Sequence, residues 1–314
     1  MREDAFHKAP YRRFMEFIAP RADRFALLCS ILEECSLCRW ILEIAGKRHI
    51  AVGGGAAVIP SLGKGPGSGP GQPALIFTAH YDRVPNSPGA NDNGAAVFQL
   101  VETAASFRRD GGPLFIFTDG EELSGGESLR NQGSYTLGLY LKENGLGDAR
   151  IFTFDACGTG DTLIISTAAD QLLKNETGLG AEIVRRRVQT LRDEAFKAAR
   201  AARLEKVQTL PTPFSEDAGF LRAGLAAQTI TALPQNEAAA FSSLVRRGGT
   251  GAALSRDWAA TPPGDRERVP ETWRSLNGPG DSFSRLTPEH WKGMVDFAKA
   301  LGAPKGRGCL TARA

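Results

Sequence analysis

ALIFTAH, residues 74–80, is a short apolar run that closes on an ionisable side chain. A run of that length, bounded by turn residues, reads as a buried strand. The same construction recurs at PLFIFT (113–118), followed by Asp119, and at ARIFTFDA (149–156), which carries Asp155 near its end. DTLIIST (161–167) and LAAQTITAL (225–233) read as further strands, and His49 to Val52 as the start of another. Between them, 94–107, 134–144, 176–207 and 287–302 carry helical patterns, the last with Thr287 as a cap and Pro288 at the first position. Apolar strands alternating with helices predict an α/β fold with three α/β/α layers and a mostly parallel central sheet. In such sheets ligands collect outside the carboxyl ends of the strands. His80, Asp119 to Glu122, and Asp155 all fall at such ends, so a site is expected there.

Composition narrows the class. The chain has 314 residues, 42% hydrophobic and 23% charged, which suits one large globular domain. A net charge of +3 lacks the concentrated basic face of a nucleic-acid binder. The local excess of Arg and Lys at 182–208 accompanies Ile183, Val184, Val188, Leu191 and Ala195 at helical spacing, and reads as a surface helix. Nothing approaches the ~20 apolar residues of a membrane span, and no apolar leader heads MREDAFHKAPYRRF. Five cysteines, an odd count, predict reduced thiols and a cytoplasmic protein. Cys35 and Cys38 form a C-x-x-C inside an apolar pattern that reads as helix, so they are expected to be buried helical thiols.

The domain reading is a single domain over 1–314, with a helical segment at 1–46 and a loop or lid insertion at 234–275. Trp258, Trp273 and Phe241 either anchor that insertion or line a pocket beneath it. The Gly-rich stretch at 53–71 lacks the G-K-[ST] ending of a phosphate loop. His7 and His49 read as structural.

Four clusters carry chemistry. His80 and Asp82 lie two apart at a strand end, a spacing that lets a carboxylate orient a metal-binding imidazole. Asp92, in GANDNG (89–94), opens a helix and reads equally as a cap. Glu121 and Glu122 are adjacent after a buried strand, where they repel unless a cation or a shared proton intervenes. Asp155 closes an apolar strand, where an unpaired carboxylate is costly.

In order, TAHYD, GANDNG, FIFTDGEEL, the aspartate of TFDA and SEDAGFLRAGLAA resemble the motifs of the zinc-dependent aminopeptidases, a family that includes bacterial leucyl aminopeptidases and, more distantly, glutaminyl cyclases. The resemblance covers roughly residues 70–302 and implies a zinc-exopeptidase-like fold. It implies that His80 and Asp155 are terminal ligands of a first metal and that Asp92 bridges two metals. It implies that Glu122 binds the second metal, that Glu121 is the general base, and that Asp82 stands behind His80. It also implies a cis peptide after the bridging aspartate, at Asp92–Asn93.

The resemblance breaks at one position. The family's last ligand is a His in a segment of the form H-T-x-x-D-[ST]. Here that segment is Asn277-Gly278-Pro279-Gly280-Asp281-Ser282. Asn277 therefore occupies the position of the last His, and an amide oxygen suits zinc less well than imidazole does. Three outcomes stay open: a weak second site, a substitute ligand such as His290, or a different second metal such as manganese. The expected cofactor is Zn2+, one or two per chain. The expected activity is metal-dependent hydrolysis of peptides from the N-terminus, with Glu121 as base to a metal-activated water. The rivals are a peptide- or metal-binding homologue that has lost turnover and a glutaminyl cyclase-like acyltransferase. The expected partner is a peptide substrate, with neither nucleic acid nor membrane.

Overall fold

The computed structural model describes residues 13–53, 73–107, 112–123, 127–248 and 267–303. Its strands are β1 (Arg39–Ile44), β2 (Lys47–Val52), β3 (Leu75–His80), β4 (Leu114–Thr118), β5 (Arg150–Phe154), β6 (Thr162–Ser166), β7 (Val207–Leu210) and β8 (Ala227–Leu233). Its helices are α1 (Phe14–Phe17), α2 (Arg24–Glu34), α3 (Ala96–Ser106), α4 (Gly133–Glu143), α5 (Ala168–Leu173), α6 (Leu179–Ala201), α7 (Glu216–Arg222), α8 (Gln235–Arg246), α9 (Glu271–Arg274) and α10 (Pro288–Gly302).

The strands form one eight-stranded sheet in the order β1-β2-β4-β3-β5-β8-β6-β7. Its middle is parallel: β3 pairs with β4 and β5, and β5 with β8. Antiparallel pairings lie outside this middle, where β2 joins β4 and β6 joins β8. The parallel strands are apolar throughout because helices cover both faces. Successive side chains point to opposite faces. Phe77, Phe115, Phe152 and Phe154 accordingly pack with Leu28 of α2, Phe98 of α3, Val188 of α6 and Phe297 of α10. Ile76, Ile116 and Ile151 pack on the other face with Leu137 of α4 and Phe220 of α7. The expected α/β/α sandwich stands, and the carboxyl ends of β3, β4 and β5 lie side by side.

Three expectations need correction. The segment 1–46 is not helical throughout, although residues 1–12 lie outside the described residues. Helix α2 starts where the Asp23 side chain accepts from the Ala26 N–H at 3.0 Å, and it stops at Glu34. Residues 39–44 are a strand, paired with β2 through the two-residue turn Ala45-Gly46. Both turn residues have positive φ, 49° and 77°, as a tight hairpin between twisted strands requires. The apolar spacing at Ile41 and Leu42 fits either period over so short a run, which is why it misleads. Cys35 ends the helix nearly buried, while Cys38 lies beyond it and is exposed. Cys29, Cys35, Cys38 and Cys157 form no disulfide among the described residues. In the segment 234–275, α8 is regular helix, held by Ala238 and Phe241 alone among its buried residues, too sparse a pattern to read. Phe241 and Trp273 stack edge to face at 5.4 Å inside a small core with Ile164, Leu210 and Leu233, so both are anchors. Trp258 lies outside the described residues, as does most of the Gly-rich 53–71 stretch.

Candidate metal centre

β3 ends on His80, whose imidazole is fully buried. Its Nε2 lies 3.0 Å from Asp92 Oδ1 and 3.7 Å from Asp155 Oδ1, and its Nδ1 lies 3.5 Å from Asp82 Oδ1. Asp155 arrives from the adjacent parallel strand β5. Asp92 arrives from a widened turn at Ala90–Ala95 that leads into α3, with a cis Asp92–Asn93 peptide as the resemblance implied. Asp92 is not the cap of α3: that helix starts at Ala96 with Ala95 at its N-cap, three residues further on.

The Glu121-Glu122 pair is fixed by Asp82, whose Oδ1 accepts from the Glu121 N–H at 3.2 Å and Oδ2 from the Glu122 N–H at 3.0 Å. The two carboxylates then part. A ligand oxygen of Glu122 lies within 4.8 Å of ligand atoms of His80 and Asp92, a grouping fit to hold a metal ion. Glu121 Oε1 accepts from Gln132 Nε2 at 2.9 Å, at the entrance to α4.

Asn277 reaches the same group. It has a positive φ of 61°, and its amide meets Glu122; with its NH2 inward it donates to Glu122 Oε1 at 2.6 Å and Oε2 at 3.2 Å. Turned the other way, the amide presents an oxygen at the same place. His290 is exposed on α10 and does not enter the constellation.

Residues that sequence reasoning missed hold the parts in place. Asp281 is buried; its Oδ1 accepts from the Asn91 N–H at 2.7 Å and its Oδ2 from the Asp92 N–H at 3.0 Å. Asn93 Nδ2 donates to the Phe154 carbonyl at 2.8 Å, and Asn91 Oδ1 accepts from Gly158 N–H at 2.7 Å, tying the turn to β5 and the loop after it. Arg24, in α2, is buried and donates to the carbonyls of Phe17, Tyr81, Asp82, Pro88 and Gly89 at 2.7–3.3 Å. It thus grips both ends of the loop between His80 and Asp92. Glu216 and Asp217 are buried below the site at the start of α7, where Thr118 donates to Glu216. Their motif was visible in the sequence, as was that of Asp281. Arg24 left no signal, because it lies 57 residues from Tyr81.

The electrostatics are those of a crowd of acids. Burial, then the charge of Asp155, raises the Asp92 pKa even though His80 and Arg24 pull it down. Burial raises Glu121 to about 8, with Asp155, Asp92 and Asp82 adding to the shift. Burial and the charges of Asp92 and Glu121 push Glu122 up to about 11. Burial works against the His80 cation, but its neighbours Asp155, Asp82 and Asp92 hold its pKa well above the ordinary value. Burial also opposes the Asp82 charge, yet His80 and the N–H groups of Glu122 and Glu121 keep its pKa below the ordinary value. Neighbouring buried carboxylates need a positive charge to ionise together. Neither ring nitrogen of His80 nor Oδ1 of Asp155 has a hydrogen-bond partner among the described residues. An imidazole nitrogen converging with carboxylate oxygens, buried and unsatisfied, fits a divalent cation.

A family model described as Peptidase family M28 matches residues 61–219, just over half of the chain. A vacuolar membrane protease of Laccaria bicolor is 40% identical over 55 residues, covering 17% of this chain and 5% of that protein. Among solved structures, the zinc aminopeptidase BSAP of Bacillus subtilis matches at 20% identity over 81% of this chain, which spans 49% of its length, with a TM-score of 0.48. A leucine aminopeptidase precursor of Bacteroides thetaiotaomicron matches at 14% identity over 93% of both chains, with a TM-score of 0.57. A glutaminyl cyclase of Porphyromonas gingivalis matches at 12% identity over 92% of both, with a TM-score of 0.55. The fold is thus shared by chains named for two different reactions, and the reaction has to be argued from the site.

Proposed function

The chain belongs to peptidase family M28, and from the division of labour between its two adjacent glutamates we propose that it is a metal-dependent aminopeptidase, removing N-terminal residues from peptides. The carrying observation is that Glu122 turns to His80 and Asp92 while Glu121 stays outside that group, held by Gln132. His80, Asp92 and Asp155 would hold a first ion, for which zinc is the best match, since imidazole with carboxylates suits it. Asp92, Glu122 and Asn277 would hold a second ion only with the Asn277 amide turned to present its oxygen, an all-oxygen set that is poorer for zinc.

When bound here, a divalent cation would supply Lewis acidity toward a carbonyl and toward water. The protein's own groups do the rest. Asp82 fixes the ring of His80 and, through two N–H bonds, the backbone of both glutamates. Glu121 takes a proton from water and returns it to the leaving amine. Burial and the neighbouring carboxylates raise its pKa, and a cation in the site would offset that shift and free the carboxylate to act as a base. The buried acids around it attract the substrate's free ammonium group.

A binding protein that had lost turnover has no use for a base such as Glu121 beside its ligands. Cyclisation, by the resemblance, uses a zinc at the position where Asn277 replaces the imidazole, so hydrolysis is the better supported reading. Free thiols, including an exposed Cys38, support a cytoplasmic setting. No helix of the described residues is long and apolar enough to cross a membrane. The test is hydrolysis of N-terminal amide substrates by the metal-loaded chain and by Glu121→Gln. Normal turnover in that variant ends the assignment.

A further inference from the structure

Glu121 sets the direction in which a cleaved peptide departs. A group that returns its proton to the leaving nitrogen must face that nitrogen, so the residue being released lies on the Glu121 side of the site. In a dipeptide the released residue carries its carboxylate two bonds from that nitrogen, roughly 2.5 Å away by standard backbone dimensions. The polar groups on that rim therefore choose the leaving residue.

Lys47 lies against Gly120, the residue before Glu121. The antiparallel register of β2 on β4 pairs Ile50 with Phe117, and continued past the last pair it sets Lys47 opposite Gly120. Gly120 immediately precedes Glu121 and has φ +74°. A Cβ on it would stand 2.5 Å from Lys47 Nζ and 2.7 Å from both Cδ and Cε, so the end of the lysine lies flat across the glycine. Lys47 is half-buried and forms no ion pair among the described residues. Gly120 O accepts from the Gly133 N–H at 2.8 Å, which brings the uncapped N-terminus of α4 to the same rim. Its dipole adds to the positive field there. Beneath this rim the site is lined with acids, so a cation at its edge stands out.

We propose that Lys47 binds a carboxylate on the residue released, so that the enzyme favours short peptides whose free C-terminus lies next to the cleaved bond. This rests on the aminopeptidase reading above. The same chemistry serves an Asp or Glu side chain on the released residue, and the test separates the two sources.

The experiment measures kcat and KM of the metal-loaded full chain on a panel of Xaa-leucine dipeptides, their C-terminal amides, and Xaa-glutamate amides. It compares the wild type with Lys47→Gln and Lys47→Arg. The free acids should be preferred over the amides by roughly fivefold, the scale of a partly exposed ion pair. Lys47→Gln should remove that preference through KM on the acids alone, and Lys47→Arg should keep it. A preference confined to the glutamate amides and lost in Lys47→Gln assigns the side-chain carboxylate as the source. Cleavage of acid and amide alike by the wild type, or an equal loss on both in Lys47→Gln, overturns the proposal while leaving the aminopeptidase reading intact. No cleavage of any substrate by a chain that binds metal overturns both.

Discussion

The two halves of the metal centre are built differently. The His80 half rests on the interior of the sheet: His80 is the last residue of β3, Asp155 follows β5, and Asp92 is tied to Asp281, Asn91 and Asn93 by surrounding hydrogen bonds. The Glu122 half rests on loops. Glu122 is half-buried beyond β4, and its partner Asn277 is exposed at a positive-φ turn after α9. The first half is pre-organised by packing, and the second depends on groups that water reaches. Pre-organisation is what lets ligands converge without an ordering cost at each binding event. Tighter metal binding is therefore expected of the first half than of the second.

The largest effect should come from the residue between the halves. Glu121→Gln should lower kcat by about 10²–10⁴-fold, the usual contribution of a general base, with metal content unchanged by mass spectrometry. Parallel loss of metal would show that Glu121 is a ligand instead. His80→Ala should next empty the first position, whereas Asn277→Ala should leave its zinc in place. Equal metal loss in both would dissolve the distinction drawn here.

Arg24 tests whether support from a distant helix matters. Arg24→Met leaves five carbonyls without their donor and should destabilise the fold by roughly 3 kcal/mol, measured by urea unfolding. It should also lower kcat by roughly 10–100-fold, as losses behind metal ligands do. Asn277→His should raise zinc retention at the second position against a chelator by roughly tenfold. Unchanged retention would mean that the loop, not the donor, limits that half.

The smallest effect concerns pH. Burial raises the pKa of Asp217 to about 7 and of Glu216 to about 8. A carboxyl whose folded pKa is raised contributes stability that is present in full below its unfolded value, near 4, and is lost as pH rises through the folded value. The metal-free chain should therefore melt at a lower temperature at pH 8 than at pH 5, and Asp217→Asn should flatten the difference. A melting temperature that rises over that range would contradict the burial assigned to both groups.

The sequence by itself determined the class of the fold and pointed to the place of the candidate site. Apolar strands that end in His80, the Glu121-Glu122 pair and Asp155 carry both readings, because a strand buried on both faces is apolar along its length and ligand sites gather where such strands stop. It misread 39–44 because six residues of mixed burial satisfy two periodicities at once. It missed α8 because a helix with two buried side chains has almost no stripe to read. Tertiary structure alone decided which chain segments support the centre. Arg24 reaches across 57 residues to carbonyl groups, and carbonyls have no side-chain signature. The placing of Asn277 against Glu122, and of Lys47 across Gly120, depends likewise on how separate segments meet. Local sequence carries periodicity and residue type. It does not carry the distance between atoms that only folding brings together.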